Sequence, residues 1–573
     1  MRLLPSGAKT PNRILAWLAA NPCWVLTLMT LVTLSLFVTK PFNIDDPLFI
    51  WVARNIQAQP GRPYDFSVNW YGRAQPMWET TKNPPLACYY LAVGATILGW
   101  SESALHAVFV LPVLAAILGT YRLAKRFCSR PVLAASITLF TPVFLVSSTT
   151  LMCDVLMLAF WVWAIVLWLE GTDHNDPLRL SGAALLIGMA ALTKYYGICL
   201  LPLLAAWSLL GKHRIKNWVG YFIIPVGILA VYLITMQALY GHGLLSDAGN
   251  YAVGFRKSVN PAQAQAVLTA LAFTGGCLAV SVFFTPILWR PATLAMGMAI
   301  SVLVTALLCV GTPVAKQFAS SDATSPNAVA MQLVFWGAGG ISVLALAAAD
   351  VCKRRDADSS LLGLWLGGTF VFTALFNWTI NGRSILPMAV PTGIFIARRL
   401  DQRAGEGVKI TRAMIIAPLA TGAVLALLVA RSDFLLAWAV RQTAQEAQAR
   451  YGHGNHTFWF QGHHGFQYYM EAAGASALDF DNSVQSGDYV AIPLNNPNTY
   501  PVDETLVTQQ KSILVPGPNW LTTMNMSVGA GFYTSLCGPL PFAFGRVPPE
   551  QVLVYLVNLP LSASGTNSTG TAK

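Results

Sequence analysis

Long apolar runs separated by short polar segments dominate the chain from residue 22 to residue 430. A helix that crosses a membrane needs about 20 predominantly apolar residues, and thirteen runs reach or approach that length. The pattern therefore predicts a polytopic α-helical membrane protein. The predicted spans are 22–39, 104–121, 131–148, 155–169, 181–193, 197–210, 218–239, 264–288, 292–310, 329–349, 361–379, 384–397 and 413–430.

One further apolar run, Pro84 to Gly99, is long enough either to cross the membrane or to lie along it. Cytoplasmic loops carry an excess of Lys and Arg. If the run lies along the membrane, almost every basic cluster falls on the same side as the N-terminus. We therefore predict thirteen spans, with the N-terminus inside and the C-terminus outside. The first loop, 41–103, is then external. The clusters are Arg122, Lys125, Arg126 and Arg130; Lys212, Arg214 and Lys216; Lys353, Arg354 and Arg355; and Arg398, Arg399, Arg403, Lys409 and Arg412.

The composition supports the same class of protein. Of the 573 residues, 55% are hydrophobic and only 11% are charged, whereas soluble domains carry about 25% charged residues. The formal net charge of +11 comes from loops between apolar runs, so we expect no nucleic-acid partner. The nine cysteines show no spacing typical of a zinc site or a redox pair. No small-residue cleavage site follows the first run, and we expect a retained helix rather than a signal peptide.

After residue 431 the composition changes from membrane-like to globular. Residues 431–450 have the pattern of an amphipathic helix that leaves the membrane, and 465–473 predict a further helix. We expect a transmembrane domain over 1–430, a small extracytoplasmic α/β domain over 431–561 and a disordered tail over 562–573. The predicted strands of the α/β domain are 456–460, 489–493, 512–515 and 552–557.

Two adjacent carboxylates, Asp45 and Asp46, follow the first span in an otherwise carboxylate-poor chain. Ionisable groups at a membrane surface are costly to keep, which marks them as candidates for chemistry. Pro47 suits the first turn of a helix that lies on the membrane, and either aspartate could cap that helix. The predicted topology brings further polar residues to the outer face, and we hypothesise that they converge in space. They are Asp154, Lys194, Tyr195, Tyr196, Arg383, Asp247, Arg256, Lys257, Lys316 and Asp322.

Four motifs resemble those of the C-type membrane glycosyltransferases that use polyprenyl-phosphate sugars. The resemblance covers about residues 20–430 and is to the bacterial relatives of protein O-mannosyltransferases and of lipid A aminoarabinose transferase. A later Arg383 followed by Leu386-Pro387 is similar to a weaker motif of these enzymes. The four motifs are Asp45-Asp46 in the first external loop, Lys82-Asn83-Pro84-Pro85-Leu86-Ala87-Cys88-Tyr89-Tyr90, Asp154 before an aromatic-rich span, and Leu192-Thr193-Lys194 at an outer helix end.

The resemblance implies transfer of a sugar from a polyprenyl-phosphate donor to an extracytoplasmic protein, lipid or glycan, in a bacterial cytoplasmic membrane. Asp45 is then the catalytic base. The chain departs from the family where Asp46 replaces a usual Glu and where Asn83 separates Lys82 from the proline pair. The donor already carries its leaving group, so no nucleotide cofactor is expected.

The departing phosphate gains negative charge and needs cations or a metal. The candidate substrate-binding residues are Lys82, Lys194, Tyr195 and Arg383, with the pair at 256–257 as weaker candidates. Asp46 and Asp154 could orient the base, as supporting catalytic residues, or ligate a divalent metal ion, since such ions favour oxygen ligands.

Two other classes of function stay open at this point. A transporter or flippase of lipid-linked sugars would also be polytopic, but it should place ionisable residues near the bilayer midplane, often in matching repeats. Here the acids lie at outer helix ends and no repeat is apparent. A catalytically inactive anchor for the external domain would not need Asp45.

Overall fold

A computed structural model describes residues 20–259, 263–311, 326–479 and 482–560. The expectations for Lys316, Asp322 and the tail 562–573 lie outside these residues. Helices form at every predicted apolar run, and further helices form between and after these runs. The α-helices of the described residues follow in chain order. They are Pro22–Ser35, Asp46–Ala58, Met77–Thr80, Leu86–Leu98, Glu102–Phe127, Pro131–Leu139, Pro142–Ser147, Asp154–His174, Pro177–Thr193, Leu200–Leu210, Ile223–Tyr240, Leu244–Val259, Gln263–Cys277, Val280–Leu288, Pro291–Gly311, Pro326–Arg354, Ala357–Val371, Gly382–Ile385, Ala389–Gly405, Arg412–Tyr451 and His464–Ala472.

Within the described residues, seven helices are long and apolar enough to cross a membrane, or eight if a pair bent by 88° at residues 278–279 is one span. The polytopic helical class is therefore confirmed, whereas the count of thirteen spans stays a prediction. Several predicted spans are shorter helices or are broken. The run 131–148, for example, divides into Pro131–Leu139 and Pro142–Ser147, because Pro142 lacks the N–H that a continuous helix would need.

Charged residues gather at two opposite ends of the helical bundle. The helix Asp154–His174 has 21 residues, so Asp154 and Asp173 are separated by about 30 Å along its axis. Asp173 forms an ion pair with Arg126, which also pairs with Asp358 at 3.1 Å. One end of the bundle thus contains the predicted basic loops 122–130, 353–355 and 398–412 together with their acidic partners. Asp154 lies at the other end.

The first loop contains more structure than the sequence pattern predicts. The helix Asp46–Ala58 packs against Leu86–Leu98, as expected for two helices of one surface layer. Between them the strands Ser67–Asn69 and Ala74–Pro76 form an antiparallel hairpin, which the polar sequence around Gly72 did not reveal. Gly72 has a φ of 84°, a backbone conformation that glycine adopts without steric cost.

The C-terminal region is a small α/β domain built on a mixed sheet. The strand Phe458–Phe460 pairs in parallel with Tyr489–Pro493 and with Ser476–Ala477. The strand Glu550–Val557 pairs antiparallel with three others, Tyr489–Pro493, Val507–Gln509 and Ile513–Val515. Short two-stranded pairs complete the domain: Leu521–Thr522 with Ala543–Phe544, and Met524–Asn525 with Ala530–Gly531. The expected α/β character and all four predicted strands are present.

The helix Arg412–Tyr451 connects the bundle to this domain without a break at residue 431. Its 40 residues correspond to about 60 Å, roughly twice the apolar thickness of a bilayer. The expected boundary between 430 and 431 therefore lies inside one continuous helix. The amphipathic segment 431–450 is the C-terminal half of that helix, and the C-terminal domain packs against it.

A buried ion pair joins the first loop, the long helix and the C-terminal domain. The Lys40 ammonium lies 2.5 Å from the Asp433 carboxylate, and each side chain is 1% exposed. Asp433 also accepts hydrogen bonds from the hydroxyls of Thr523, at 2.6 Å, and Tyr533, at 2.9 Å. We call these four residues the clamp. The clamp fixes the position of the C-terminal domain relative to the loop that carries Asp45.

Candidate active site

A cavity of about 560 Å³ lies at the Asp154 end of the bundle, beneath the C-terminal domain. This volume is within the range of about 300–1,000 Å³ typical of small-molecule sites. The first loop, three helix ends and the C-terminal domain all contribute to its wall. Of the seven predicted site residues, six line it: Asp45, Lys82, Asp154, Lys194, Tyr195 and Arg383. The structure thus brings together residues that are up to 338 positions apart.

Asp45 immediately precedes the helix Asp46–Ala58, with Pro47 in its first turn as expected. The expectation that an aspartate caps this helix is wrong, because no side-chain capping hydrogen bond forms. Instead Oδ2 of Asp45 accepts a hydrogen bond from Arg383 Nη1 at 2.9 Å. The Asp45 side chain is 27% exposed, so this carboxylate keeps contact with the cavity and is free for a task other than capping.

Arg383 is held on a tight turn between the bundle and the C-terminal domain. The Asn381 side chain caps this turn by accepting from the Ser384 amide at 2.8 Å, and the Gly382 amide donates to the Phe532 carbonyl at 2.7 Å. Burial opposes a charge on the Arg383 guanidinium, but the carboxylates of Asp45 and Asp154 hold its pKa above its usual value. Its Nε atom is buried and has no hydrogen-bond partner among the described residues. The guanidinium is therefore a fixed cation with an unused donor.

Asp154 and Lys194 form the second ion pair of the cavity. Asp154 is the first residue of its helix, and Lys194 ends the neighbouring helix Pro177–Thr193 as its C-cap. Lys194 Nζ donates to Asp154 Oδ1 at 2.6 Å. The Asp154 side chain is 2% exposed, while Lys194 is 25% exposed. In the part of the chain that the structure describes, the buried Oδ2 atom of Asp154 accepts no hydrogen bond.

Asp46 is the one predicted site residue that does not line the cavity. Its side chain is fully buried and accepts backbone hydrogen bonds from Asn43, at 3.1 Å, and from Leu151, at 2.8 Å. Burial raises the pKa of Asp46 from 3.8 to about 6, against the opposing effects of Lys40 and of the two amides. Asp46 therefore ties the Asp45 loop to the segment that leads into Asp154, which is a supporting role.

Lys82 and Tyr195 also line the cavity. The Lys82 ammonium is 5.1 Å from the centre of the Tyr251 ring and donates to the Glu79 carbonyl. Burial lowers the pKa of Lys82. The Tyr195 hydroxyl shares a hydrogen bond of 2.8 Å with Tyr232. Both side chains are therefore oriented by protein contacts while they face the same space.

The two weaker cation candidates lie outside the cavity lining. Arg256 donates to the carbonyls of Ala374, at 2.6 Å, and Asn377, at 2.8 Å. These carbonyls belong to the irregular segment that follows the helix Ala357–Val371, and Arg256 therefore stabilises local structure. Lys257 is exposed. Neither residue is positioned to contact a ligand in the cavity.

The C-terminal domain supplies lining residues that the sequence pattern did not single out as site residues. His463, His464 and Tyr533 all line the cavity. The signal that could have identified the two histidines is the density of aromatic and imidazole groups in 458–469.

Carboxylates at the site differ in their capacity to bind a metal ion. Both oxygens of Asp46 are occupied by backbone amides, so it does not fit the expected role of a metal ligand. Asp154 retains one oxygen without a partner. Within residues 20–259, 263–311, 326–479 and 482–560, no three His, Cys, Asp or Glu side chains are grouped as a metal site. The metal expectation therefore stays a prediction, with Asp154 as its candidate ligand.

Residues 82–240 match the family model of dolichyl-phosphate-mannose-protein mannosyltransferases. No curated protein matches the chain. One similar solved structure is that of the archaeal oligosaccharyltransferase AglB from Archaeoglobus fulgidus, in complex with an inhibitory peptide and a dolichol-phosphate. The sequence identity is 14% and the TM-score is 0.46, over 83% of this chain and 70% of that chain. ArnT from Cupriavidus metallidurans in the apo state is 13% identical, with a TM-score of 0.40 over 84% of this chain and 93% of that one.

The segment that matches the family model contains four of the predicted site residues, Lys82, Asp154, Lys194 and Tyr195. Asp45, Asp46 and Arg383 lie outside it, and the fold brings Asp45 and Arg383 to the same cavity. The match confirms the predicted resemblance. Through residues 82–240, the chain is thus similar to the dolichyl-phosphate-mannose-protein mannosyltransferases.

Proposed function

We propose that this cavity transfers a sugar, most simply a hexose, from a polyprenyl-phosphate carrier to an acceptor outside a bacterial inner membrane. The observation that carries the proposal is the convergence of a carboxylate with cavity access, Asp45, and three cations, Lys82, Lys194 and Arg383, in one cavity. Transfer from a phosphate-linked sugar needs a base at one side of the anomeric carbon and positive charge at the other. The match to a mannosyltransferase family model supports a hexosyl donor.

In this mechanism Asp45 removes the proton of the acceptor hydroxyl or amine as that group attacks the anomeric carbon. A new bond forms from the acceptor to that carbon, and the bond from the carbon to the phosphate oxygen breaks. The electron pair leaves with the phosphate. Arg383 holds Asp45 in place through the 2.9 Å hydrogen bond, and a positioned acid–base group typically contributes about 10²–10⁴-fold to the rate.

The leaving phosphate gains charge during the reaction, and fixed cations stabilise it without reorganisation. We assign this role to Lys194 and Lys82, with Arg383 Nε as a further donor. Lys194 is anchored by Asp154 and Lys82 is held over Tyr251, so neither must be ordered when the donor binds. A divalent ion on the free oxygen of Asp154 would supply additional positive charge at the same place.

The proposed orientation places the cavity and the C-terminal domain on the extracytoplasmic side. The basic loops at the opposite end of the bundle support it, since an excess of Lys and Arg is typical of the cytoplasmic side. Labelling of single cysteines introduced near Gln75 and Lys125 in intact cells tests this orientation. Reagent access to both positions from the same side would contradict it.

Activity is tested with the purified full chain in detergent, against radiolabelled polyprenyl-phosphate hexoses and pentoses, with an envelope extract of the source organism as acceptor. We expect transfer of label from at least one donor, with hexose preferred. A lack of transfer from every donor, combined with movement of the same lipids across proteoliposome membranes, would favour a flippase and refute the proposal.

A further inference from the structure

His464 is one of the residues of the C-terminal domain that line the proposed active site. This histidine is the first residue of the helix His464–Ala472, lines the cavity, and is 9% exposed. Both of its ring nitrogens are buried and have no hydrogen-bond partner in the described parts of the chain. A buried polar group without a partner costs about 1–3 kcal/mol, so its retention beside a catalytic carboxylate requires an explanation.

The backbone around His464 is built to bring the ring against the Asp45 loop. His464 has a φ of 65°, in the left-handed region that is unfavourable for most residues with a side chain. A Cβ atom on the next residue, Gly465, would lie 2.3 Å from the Phe42 carbonyl oxygen. Only glycine therefore permits this close approach. The two features fix the distance between the C-terminal domain and the catalytic loop.

The neighbouring His463 shows what an ordinary structural histidine looks like in this domain. Its amide donates to Asn496 Oδ1 at 2.8 Å, and its Nδ1 lies 3.1 Å from Asn498 Nδ2. Its ring packs on Trp70 with centroids 4.5 Å apart. The His463 ring thus has a partner for Nδ1 within the domain interface, whereas neither ring nitrogen of His464 has one among the described residues.

The groups that face the His464 ring define its charge state. They are the Asp45 carboxylate, the Ile44 carbonyl, the Arg383 guanidinium and the His463 ring, and no hydrogen bond of normal geometry joins the ring to any of them. Burial lowers the pKa of His464 to about 4, although Asp45 and the Ile44 carbonyl act in the opposite direction. At neutral pH the ring is therefore neutral, with one nitrogen that can accept a hydrogen bond.

We propose that His464 is a positioning residue for Asp45: its neutral imidazole accepts the hydrogen bond of the Asp45 carboxyl group once Asp45 has taken the proton of the acceptor. Before the reaction Asp45 is a carboxylate and, among the described residues, its side chain accepts a hydrogen bond from Arg383 alone. After proton transfer its new O–H group needs an acceptor, and His464 supplies one. The proton stays on Asp45 until it leaves to water through the cavity. The inference rests on the proposed function and adds the C-terminal domain to the reaction.

The test uses the purified full chain and whichever radiolabelled polyprenyl-phosphate sugar the parent transfers. His464→Phe keeps a ring of similar size without nitrogen. His464→Asn and His464→Gln place an amide oxygen near the positions of Nδ1 and Nε2, respectively. We expect the Phe variant to lose at least about ten-fold in kcat, the equivalent of one hydrogen bond, with little change in the KM for the donor. We expect one of the two amide variants to remain within about three-fold of the parent.

The pH dependence of kcat/KM separates this role from a purely structural one. Because a hydrogen bond from its protonated form raises the pKa of a carboxyl group, we expect the acid limb of the His464→Phe profile to move to lower pH. His456→Phe, in the same domain but outside the cavity, is the matched control and should leave both kcat and the profile unchanged. An inactive parent would refute the proposed function. An active parent whose Phe variant keeps full kcat, or whose amide variants both fail to restore it, would overturn the role of His464 alone.

Discussion

Removing Lys40 should destabilise the protein far more than removing any exposed cation, because Lys40 is half of the buried clamp. In Lys40→Met the Asp433 carboxylate, which is 1% exposed, would lose the cation of the clamp. It would keep the hydrogen bonds from the hydroxyls of Thr523 and Tyr533. Breaking a buried ion pair from one side costs about 3–5 kcal/mol. We expect a loss in the free energy of unfolding near the lower end of that range, because Thr523 and Tyr533 still stabilise the charge.

A double-mutant cycle in detergent micelles, followed by chemical denaturation, measures this energy. Asp433→Asn removes the charge and keeps an oxygen for one of the two hydroxyls, which donate to different carboxylate oxygens. The double variant Lys40→Met/Asp433→Asn should therefore be more stable than Lys40→Met alone. The matched control is Arg62→Met. Arg62 pairs with Asp65 at 3.2 Å, but the two side chains are 61% and 47% exposed, and such pairs contribute at most about 1 kcal/mol. Equal losses for Lys40→Met and Arg62→Met would refute the reasoning.

Three further changes test other parts of the site. Asp46→Asn should lower the free energy of unfolding by about 1–3 kcal/mol near pH 4, because an amide cannot accept from both backbone N–H groups that Asp46 satisfies. Since the folded pKa of about 6 exceeds the unfolded value of 3.8, the stabilising contribution of Asp46 is complete below pH 3.8 and is lost as pH rises through 6. The difference in stability between parent and variant, measured by denaturation, should therefore shrink between pH 4 and pH 7. Lys82→Met should raise the KM for the donor about ten-fold or more, with kcat changed less, because it removes a preformed cation from the phosphate side; an unchanged KM would exclude Lys82 from donor binding. Gly465→Ala should lower kcat, because its Cβ would collide with the Phe42 carbonyl, whereas Gly61→Ala, with nothing within 4 Å, should not.

Local patterns in the sequence predicted much of the fold and most of the site. The apolar runs identified the helices, and short strand-like stretches identified the strands 489–493 and 552–557, because both signals depend only on neighbouring residues. Asp45, Asp154, Lys194 and Arg383 stood out as ionisable residues at helix ends in an apolar chain. Six of the seven candidates line one cavity.

The pairing of these residues depends on contacts distant in sequence. Nothing near Asp45 indicates that Arg383, 338 residues away, is its partner, or that Asp46 points away from the cavity towards the Leu151 amide. The clamp was missed for the same reason, although an acid such as Asp433 just after the apolar run 413–430 is itself a signal. His464 was missed because its role depends on a close approach between two domains. Gly465 permits that approach, but a single glycine in the sequence does not predict it.

The most direct test of the central claim is the rate of sugar transfer by Asp45→Asn. The amide keeps the size of the side chain and an oxygen for Arg383, but it cannot take a proton. With the donor that the parent uses best, we expect kcat to fall by about 10²–10⁴-fold, while Asp65→Asn, an exposed aspartate of the same loop, retains the parent rate. Transfer by Asp45→Asn at the parent rate would contradict the account of Asp45 as the catalytic base.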